Sequence, residues 1–119
     1  EVQSGIKCKY EWNLQKNLDF NSIQKLNIFR IIQEALHNVM KHSKADTVIV
    51  SIDSVKDYVI VDVRDNGIGI PESDANGKKE GLGLNSMQYR ADQIGAQFEI
   101  KPNLPKGTCV ELKIFPQQK

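Results

Sequence analysis

Apolar and polar positions change rhythm several times along the chain, and each change predicts an element. Ile6, Cys8, Tyr10 and Trp12 alternate with Lys7, Lys9 and Glu11, a period of two that predicts a strand with one buried face. Asn21-Ser22-Ile23-Gln24 then carries a helix start, with a capping oxygen at Asn21 and a glutamine three residues later. Over residues 23–42 the apolar set Phe29, Ile32, Leu36, Val39 and Met40 recurs at helical spacing, and Ile28, Ile31 and Ala35 widen the stripe. Arg30, Gln33, Glu34, His37, Asn38 and Lys41 occupy the opposite side.

The rhythm returns to two at Val48, Val50 and Ile52, and again at Val59, Val61 and Val63, with Tyr58, Ile60, Asp62 and Arg64 on the other face of the second run. Ser54-Val55-Lys56-Asp57 is the expected hairpin connection. Asp65-Asn66-Gly67-Ile68-Gly69 ends that strand, and the polar, turn-rich residues 71–81 predict a mobile loop. Leu84, Met87, Ala91 and Ile94 mark a second helix over residues 84–94, stopped by Gly95. Phe98 and Ile100, then Val110, Leu112 and Ile114, predict two closing strands around a turn at residues 102–107. Two helices and five strands, mostly hairpin-linked, predict a two-layer α/β sandwich with helices on one side of the sheet.

Composition narrows the class. A length of 119 residues predicts one domain, and 39% hydrophobic with 26% charged residues suits a globular protein. A net charge of +1 supplies no bulk field for nucleic acid or membrane. No run approaches the roughly 18 apolar residues of a membrane span. The N-terminus has no signal-peptide order and no starting methionine, so a fragment of a cytoplasmic protein is expected. Cys8 and Cys109 form no CxxC pair and are expected to be reduced thiols.

Four constellations could carry chemistry. Glu34, Asn38, Lys41 and His42 fall on or beside one stripe at 3.6 residues per turn. An amide oxygen there can ligate Mg²⁺, an amine can neutralise phosphate, and a carboxylate can orient a nucleophile. The same residues would equally serve as the solvated face of a half-buried helix. Asp65 ends an apolar strand ahead of Gly67 and Gly69, which lets a carboxylate meet an exocyclic amine while a flat ring approaches the backbone; the alternative is an ordinary Asp-Asn-Gly turn. Gly81-Leu82-Gly83-Leu84 opens the second helix and could present amides to an anion, or merely join loop to helix. Gly107-Thr108 could place a hydroxyl in a network with Asp65, or be a turn glycine before a β-former.

The order of these motifs resembles the GHKL ATPase superfamily, named for gyrase, heat-shock chaperone, histidine kinase and mismatch-repair proteins. Residues 31–45, Ile-Ile-Gln-Glu-Ala-Leu-His-Asn-Val-Met-Lys-His-Ser-Lys-Ala, look like the N box of the histidine-kinase subfamily whose regulators usually carry helix-turn-helix output domains. Residues 81–91, Gly-Leu-Gly-Leu-Asn-Ser-Met-Gln-Tyr-Arg-Ala, look like its G2 box and following helix. The resemblance spans about residues 5–116. It implies the Bergerat-type ATPase fold, a mixed sheet packed on one side by helices. It further implies that residues 1–119 are the catalytic and ATP-binding domain of a two-component sensor histidine kinase, without its dimerisation and acceptor domain.

Roles follow from the resemblance. Asn38 would ligate the Mg²⁺ that bridges the ATP phosphates, Glu34 would orient or activate the attacking group, and Lys41 and His42 would lie near the phosphates. Asp65 would bind the adenine amine, with Gly67 and Gly69 making room for the ring and Thr108 supporting Asp65. Gly81, Leu82, Gly83 and Leu84 would form the phosphate-side turn, hinging a lid over residues 71–80. The implied partners are ATP, an upstream helical domain carrying the acceptor histidine, and a response regulator, with no direct nucleic-acid contact and any membrane tie made through the parent protein. Departures are the lack of a clear F box and of an acceptor: His42 belongs to the motif and His37 is expected to face solvent. A serine kinase of the anti-sigma-factor type and a catalytically inactive nucleotide-binding module are the alternatives. Glu34 and Asn38 together count against the second.

Overall fold

Valine builds the centre of the sheet. In a computed structural model describing residues 5–13, 20–69 and 84–115, β2 (Thr47–Val55) and β3 (Tyr58–Asp65) pair antiparallel with Val50 opposite Val63 and Ile52 opposite Val61. β3 pairs in turn with β5 (Thr108–Ile114), extending those rows to Val110 and Leu112. β4 (Gln97–Pro102) closes one edge with Ile100 and Phe98 in the same rows, and β1 (Lys7–Asn13) lies parallel to β2 at the other. The order is β1-β2-β3-β5-β4. The parallel β1–β2 pair needs a crossover, and α1 (Ser22–Asn38) lies between them in sequence. α1 and α2 (Leu84–Gln93) bury their apolar sides against the valine rows in one core, which makes the expected two-layer sandwich.

The helix start is as expected. Asn21 Oδ1 accepts from the Gln24 amide at 2.8 Å, and Gln24 Oε1 accepts from the Asn21 amide at 3.0 Å, a reciprocal capping box. The buried stripe of α1 is rotated from the expected one. Ile28, Ile31, Ala35 and the following Val39 are buried with Gln24 and Asn27, Ile32 and Leu36 are half-buried, and Phe29 (57% exposed) and Met40 (45%) face outward. Two apolar rows one residue apart differ by about 100° around the axis, and the pattern alone does not rank them. The sheet takes the row with the small Ala35. The polar members of that row are satisfied, Asn27 Nδ2 donating to the Ile23 carbonyl one turn back at 3.0 Å and Gln24 Nε2 to the distant Phe115 carbonyl at 3.5 Å.

β1 also departs from expectation. Ile6 is buried and Cys8 half-buried, but Tyr10 and Trp12 remain 55% and 56% exposed. Both belong to the helix-side rows, opposite Val50 and Ile52, on a strand at the edge of the sheet. Their rings cover each other instead, parallel within 5° at 6.0 Å. The β2–β3 connection is tighter than the four residues expected: Ser54 and Val55 stay in the strand, and Lys56 (φ 54) and Asp57 make the turn. α2 matches its prediction, with Leu84, Met87 and Ala91 buried and Gly95 following at φ 64.

Both cysteines are free. β2 and β3 separate their strands, so about 14 Å of sheet lies between them, twice the reach of a disulfide. No described helix is long and apolar enough to cross a membrane. The expected loop at residues 71–81 lies outside the described residues.

Candidate functional site

Asp65 is the last residue of β3. It continues the row Val59, Val61 and Val63, so strand alternation turns its carboxylate toward the helix side of the sheet, where it is only 4% exposed. A carboxylate there needs donors. The Gly67 amide donates to Asp65 Oδ1 at 2.8 Å, and the Thr108 backbone amide supplies a second bond. Burial pushes the Asp65 carboxyl above its usual range, and these two amides pull it partly back by favouring the anion. The main chain of Thr108 thus supports Asp65.

Two segments hold the turn after Asp65. On one side Asn66 Oδ1 accepts from the amides of Asp46 at 2.9 Å and Thr47 at 3.1 Å, and the Asn66 amide donates to the Thr47 carbonyl at 3.3 Å. This ties the Asp-Asn-Gly turn to the segment just beyond α1. On the other side Gly69, at φ 84, packs on the start of β5: a side chain there would begin 3.4 Å from the Gly107 carbonyl oxygen and 3.9 Å from Thr108 Oγ1. Gly107, at φ 115, is closer still, since its Cβ would fall 1.8 Å from the Asp65 carbonyl oxygen. A cavity of about 600 Å³ opens here, lined by Ile68, Gly69 and residues 100–108. That volume lies in the range of small-molecule sites.

The helix stripe reaches the same side of the sheet. Glu34 and Asn38 flank the buried row of α1 and are half-buried. After Asn38 the winding loosens into a π-helical turn, Val39–Ser43, ended by Lys44 in the left-handed region at φ 56. The stripe drawn at 3.6 residues per turn therefore holds for Glu34 and Asn38 but not for the next turn, where Lys41 is exposed and the backbone of His42 follows the wider i→i+5 path. His37 is exposed. Leu84, the last residue of the Gly-Leu-Gly-Leu run, is the buried first residue of α2; Gly81, Leu82 and Gly83 lie outside the described residues.

The structure thus bonds Asp65 to Gly67 and Thr108, packs Gly69 beside them, and ties the turn to the exit of the helix bearing Glu34 and Asn38. Sequence reasoning missed the clamping role of Asn66, seen there only as a turn former, and missed Asn103, whose Nδ2 donates to the Asp65 carbonyl at 2.8 Å. No periodicity or spacing singles out Asn103.

The fold is an α/β sandwich with a buried, amide-bonded carboxylate at a strand end. Residues 23–119 match the family described as histidine kinase-, DNA gyrase B-, and HSP90-like ATPase, and the chain belongs to that family. Among characterised relatives, it is 39% identical over 111 residues to the sensor histidine kinase LiaS of Bacillus subtilis (strain 168), covering 92% of this chain and 30% of that protein. It is 32% identical over 114 residues to the oxygen sensor histidine kinase NreB of Staphylococcus carnosus (strain TM300), covering 96% of this chain and 32% of that protein. The chain thus spans about a third of the length of these kinases. The ATP-binding domain of PrrB from Mycobacterium tuberculosis has the same fold, with a TM-score of 0.81 at 20% identity over 96% of this chain and 82% of that one. The blue-light activated histidine kinase EL346 of Erythrobacter litoralis matches at a TM-score of 0.80 and 23% identity, over 94% of this chain and 36% of that one.

Proposed function

We propose that this chain is the catalytic domain of a two-component sensor histidine kinase. It binds Mg-ATP and supplies the γ-phosphoryl group to a histidine on a separate helical dimerisation domain of the same kinase. A ring nitrogen of that histidine attacks the γ-phosphorus, the bond to the β–γ bridging oxygen breaks, and ADP leaves. The phosphoryl group then passes to an aspartate of a response regulator, of the kind with a helix-turn-helix output domain. Work with ATP places the domain on the cytoplasmic side of any membrane that anchors its parent.

Asp65 carries the reading. A carboxylate buried at a strand end and oriented by two backbone amides retains capacity for one more donor, and the exocyclic amine of adenine is such a donor. Gly67 and Gly69 leave the ring room beside it, and Thr108 holds the carboxylate in place. Asn38 offers an amide oxygen to Mg²⁺. Among the described residues no group of three or more His, Cys, Asp or Glu is placed to hold a metal, so the phosphates and water would complete the coordination, as Mg²⁺ commonly allows. Glu34, one turn earlier, would orient the attacking nitrogen, and Lys41 and His42 would lie near the phosphates. Gly81, Leu82 and Gly83, together with Leu84 at the start of α2, are the residues that the motif assigns to the phosphate side. Phosphoryl transfer asks a protein for positioning and charge neutralisation, and this set supplies both.

Titration calorimetry with ATP, with and without Mg²⁺, tests the assignment. Asp65→Asn should weaken ATP binding about 10- to 100-fold, the worth of a hydrogen bond to a charged group. Asn38→Ala should abolish the gain in affinity that Mg²⁺ gives and leave metal-free binding nearly unchanged. Unaltered affinity in the Asp65 variant overturns the adenine assignment.

A further inference from the structure

We propose that Asn103 is a positioning residue for purine recognition: its side-chain amide fixes the main chain at Asp65 and thereby aims the carboxylate at the purine edge. The inference rests on the reading of Asp65 as the adenine-binding residue.

A peptide carbonyl can only accept, so the 2.8 Å contact between Asn103 Nδ2 and the Asp65 carbonyl oxygen fixes which way the amide faces. The bond is partly shielded from water and joins residues 38 positions apart, so it is a tertiary tie rather than a local turn bond. It also sits where the ladder gives out. The β3–β5 register runs only as far as Arg64 opposite Cys109, and Asp65 lies one step beyond. Asn103 takes over there as the tie to the β4–β5 side.

Asn103 is itself held. Its amide donates to the Gly107 carbonyl at 3.1 Å, closing the β4–β5 turn, and Gly107 presses its bare Cα side against the Asp65 carbonyl oxygen. The Asp65 peptide is thus gripped by a side-chain amide and a glycine from one turn, while Thr108, the next residue of that turn, donates to the carboxylate. Main chain and side chain of Asp65 are referenced to the same few residues. Asn103 also lines the 600 Å³ cavity together with Gly69 and Thr108. If the tie is cut, the carboxylate keeps its charge and burial but loses its aim, and a misaimed acceptor forfeits most of a hydrogen bond.

The readout must separate aim from folding. Inosine triphosphate lacks the exocyclic amine, so Asp65 gives it no hydrogen bond of the kind it gives ATP. Affinities of the 119-residue chain for Mg-ATP and Mg-ITP, measured by calorimetry, define a discrimination ratio. Asn103→Ala and the isosteric Asn103→Asp, neither of which can donate to the carbonyl at neutral pH, should each lower ATP affinity about fivefold and leave ITP affinity within about twofold. Asn103→Ser, which keeps a donor, should recover part of the ratio. A parallel loss for both nucleotides, following the loss in Tm, would mean a merely structural role and overturns the proposal. So does an unchanged ratio in a folded variant. Asp65→Asn separates the two levels: a retained ratio in that variant sinks the adenine reading itself. A ratio lost there but kept in the Asn103 variants sinks only the role of Asn103.

Discussion

At Asp65 a single residue is held twice, by its peptide and by its carboxylate, and small residues make this possible. Gly107 is the strictest of them. Its φ of 115 and the 1.8 Å that would separate a Cβ from the Asp65 carbonyl oxygen leave no place for a side chain, and the obstacle is backbone that cannot swing away. Gly107→Ala should therefore cost about 3 kcal/mol or more in a urea melt, at the upper end of single backbone-strain effects. It should also weaken ATP binding beyond what the stability loss explains, since the turn that shifts carries Asn103 and Thr108. A variant within about 0.5 kcal/mol of the parent would show that the contact between the two backbones is dispensable. At this scale the motif residues were legible, because Asp-x-Gly-x-Gly and Gly-Thr are local strings. Their bonds were not. Which Thr108 atom reaches Asp65, and that Asn66 and Asn103 clamp it, depend on strands distant in the chain.

Elements were legible wherever the pattern had one answer. β3 alternates buried and half-buried along its whole length, as Val59, Val61 and Val63 require. α1 had two answers one residue apart, and packing chose between them; β1 had one answer that its edge position overrode. The sheet's other face holds an arrangement that the strand patterns only hinted at. Glu11, Ser51, Asp62, Glu111 and Glu99 stand in one cross-strand row, with Arg64, Cys109 and Lys101 in the next. Lys101 bonds Glu111 at 3.1 Å, and the Cys109 thiol lies 3.7 Å from Asp62 Oδ1. Partial burial first, and then the facing Glu111 carboxyl, push Asp62 up to about 6, although Arg64 and the thiol act the other way. Burial pushes the Cys109 thiol itself up to about 12, so it stays protonated at neutral pH.

The raised Asp62 value sets the sign of a pH effect. In the unfolded chain Asp62 titrates near 3.8, so between that pH and about 6 the folded state holds more protons than the unfolded one. Stability from this group is therefore highest below about pH 4 and is lost as pH rises through 6. Asp62→Asn removes the charge but keeps the shape. It should stabilise the domain at pH 7.5 by on the order of 1 kcal/mol, the full linkage value being reduced by solvent screening at a half-exposed site. It should also flatten the pH 4–7 stability profile. Chemical denaturation across that range checks it, and a variant less stable than the parent at pH 7.5 would refute the repulsive reading of the Asp62–Glu111 pair.

For the molecule as a whole, the proposed nucleotide site would draw on the end of β3, the start of β5, the β4–β5 turn and the exit of α1, so occupancy should be felt globally. Mg-ATP at 100 times its Kd should stabilise the chain by about 2.7 kcal/mol, and scanning calorimetry should register the gain as a higher Tm that Asp65→Asn abolishes. A Tm indifferent to ATP would argue against a site built from these elements.

The amino-acid order by itself determined the kinds of element, their sequence, the chemical groups available at each motif and the family they point to, because periodicity, capping and short strings act within a few residues. Tertiary structure decided which face of α1 meets the sheet, that Tyr10 and Trp12 on the edge strand stay exposed, and how Asn66 and Asn103 grip the turn at Asp65. Those outcomes are set by contacts between strands and turns about 20 to 40 residues apart. No local pattern encodes which of two near-equivalent faces or donors a distant partner will select.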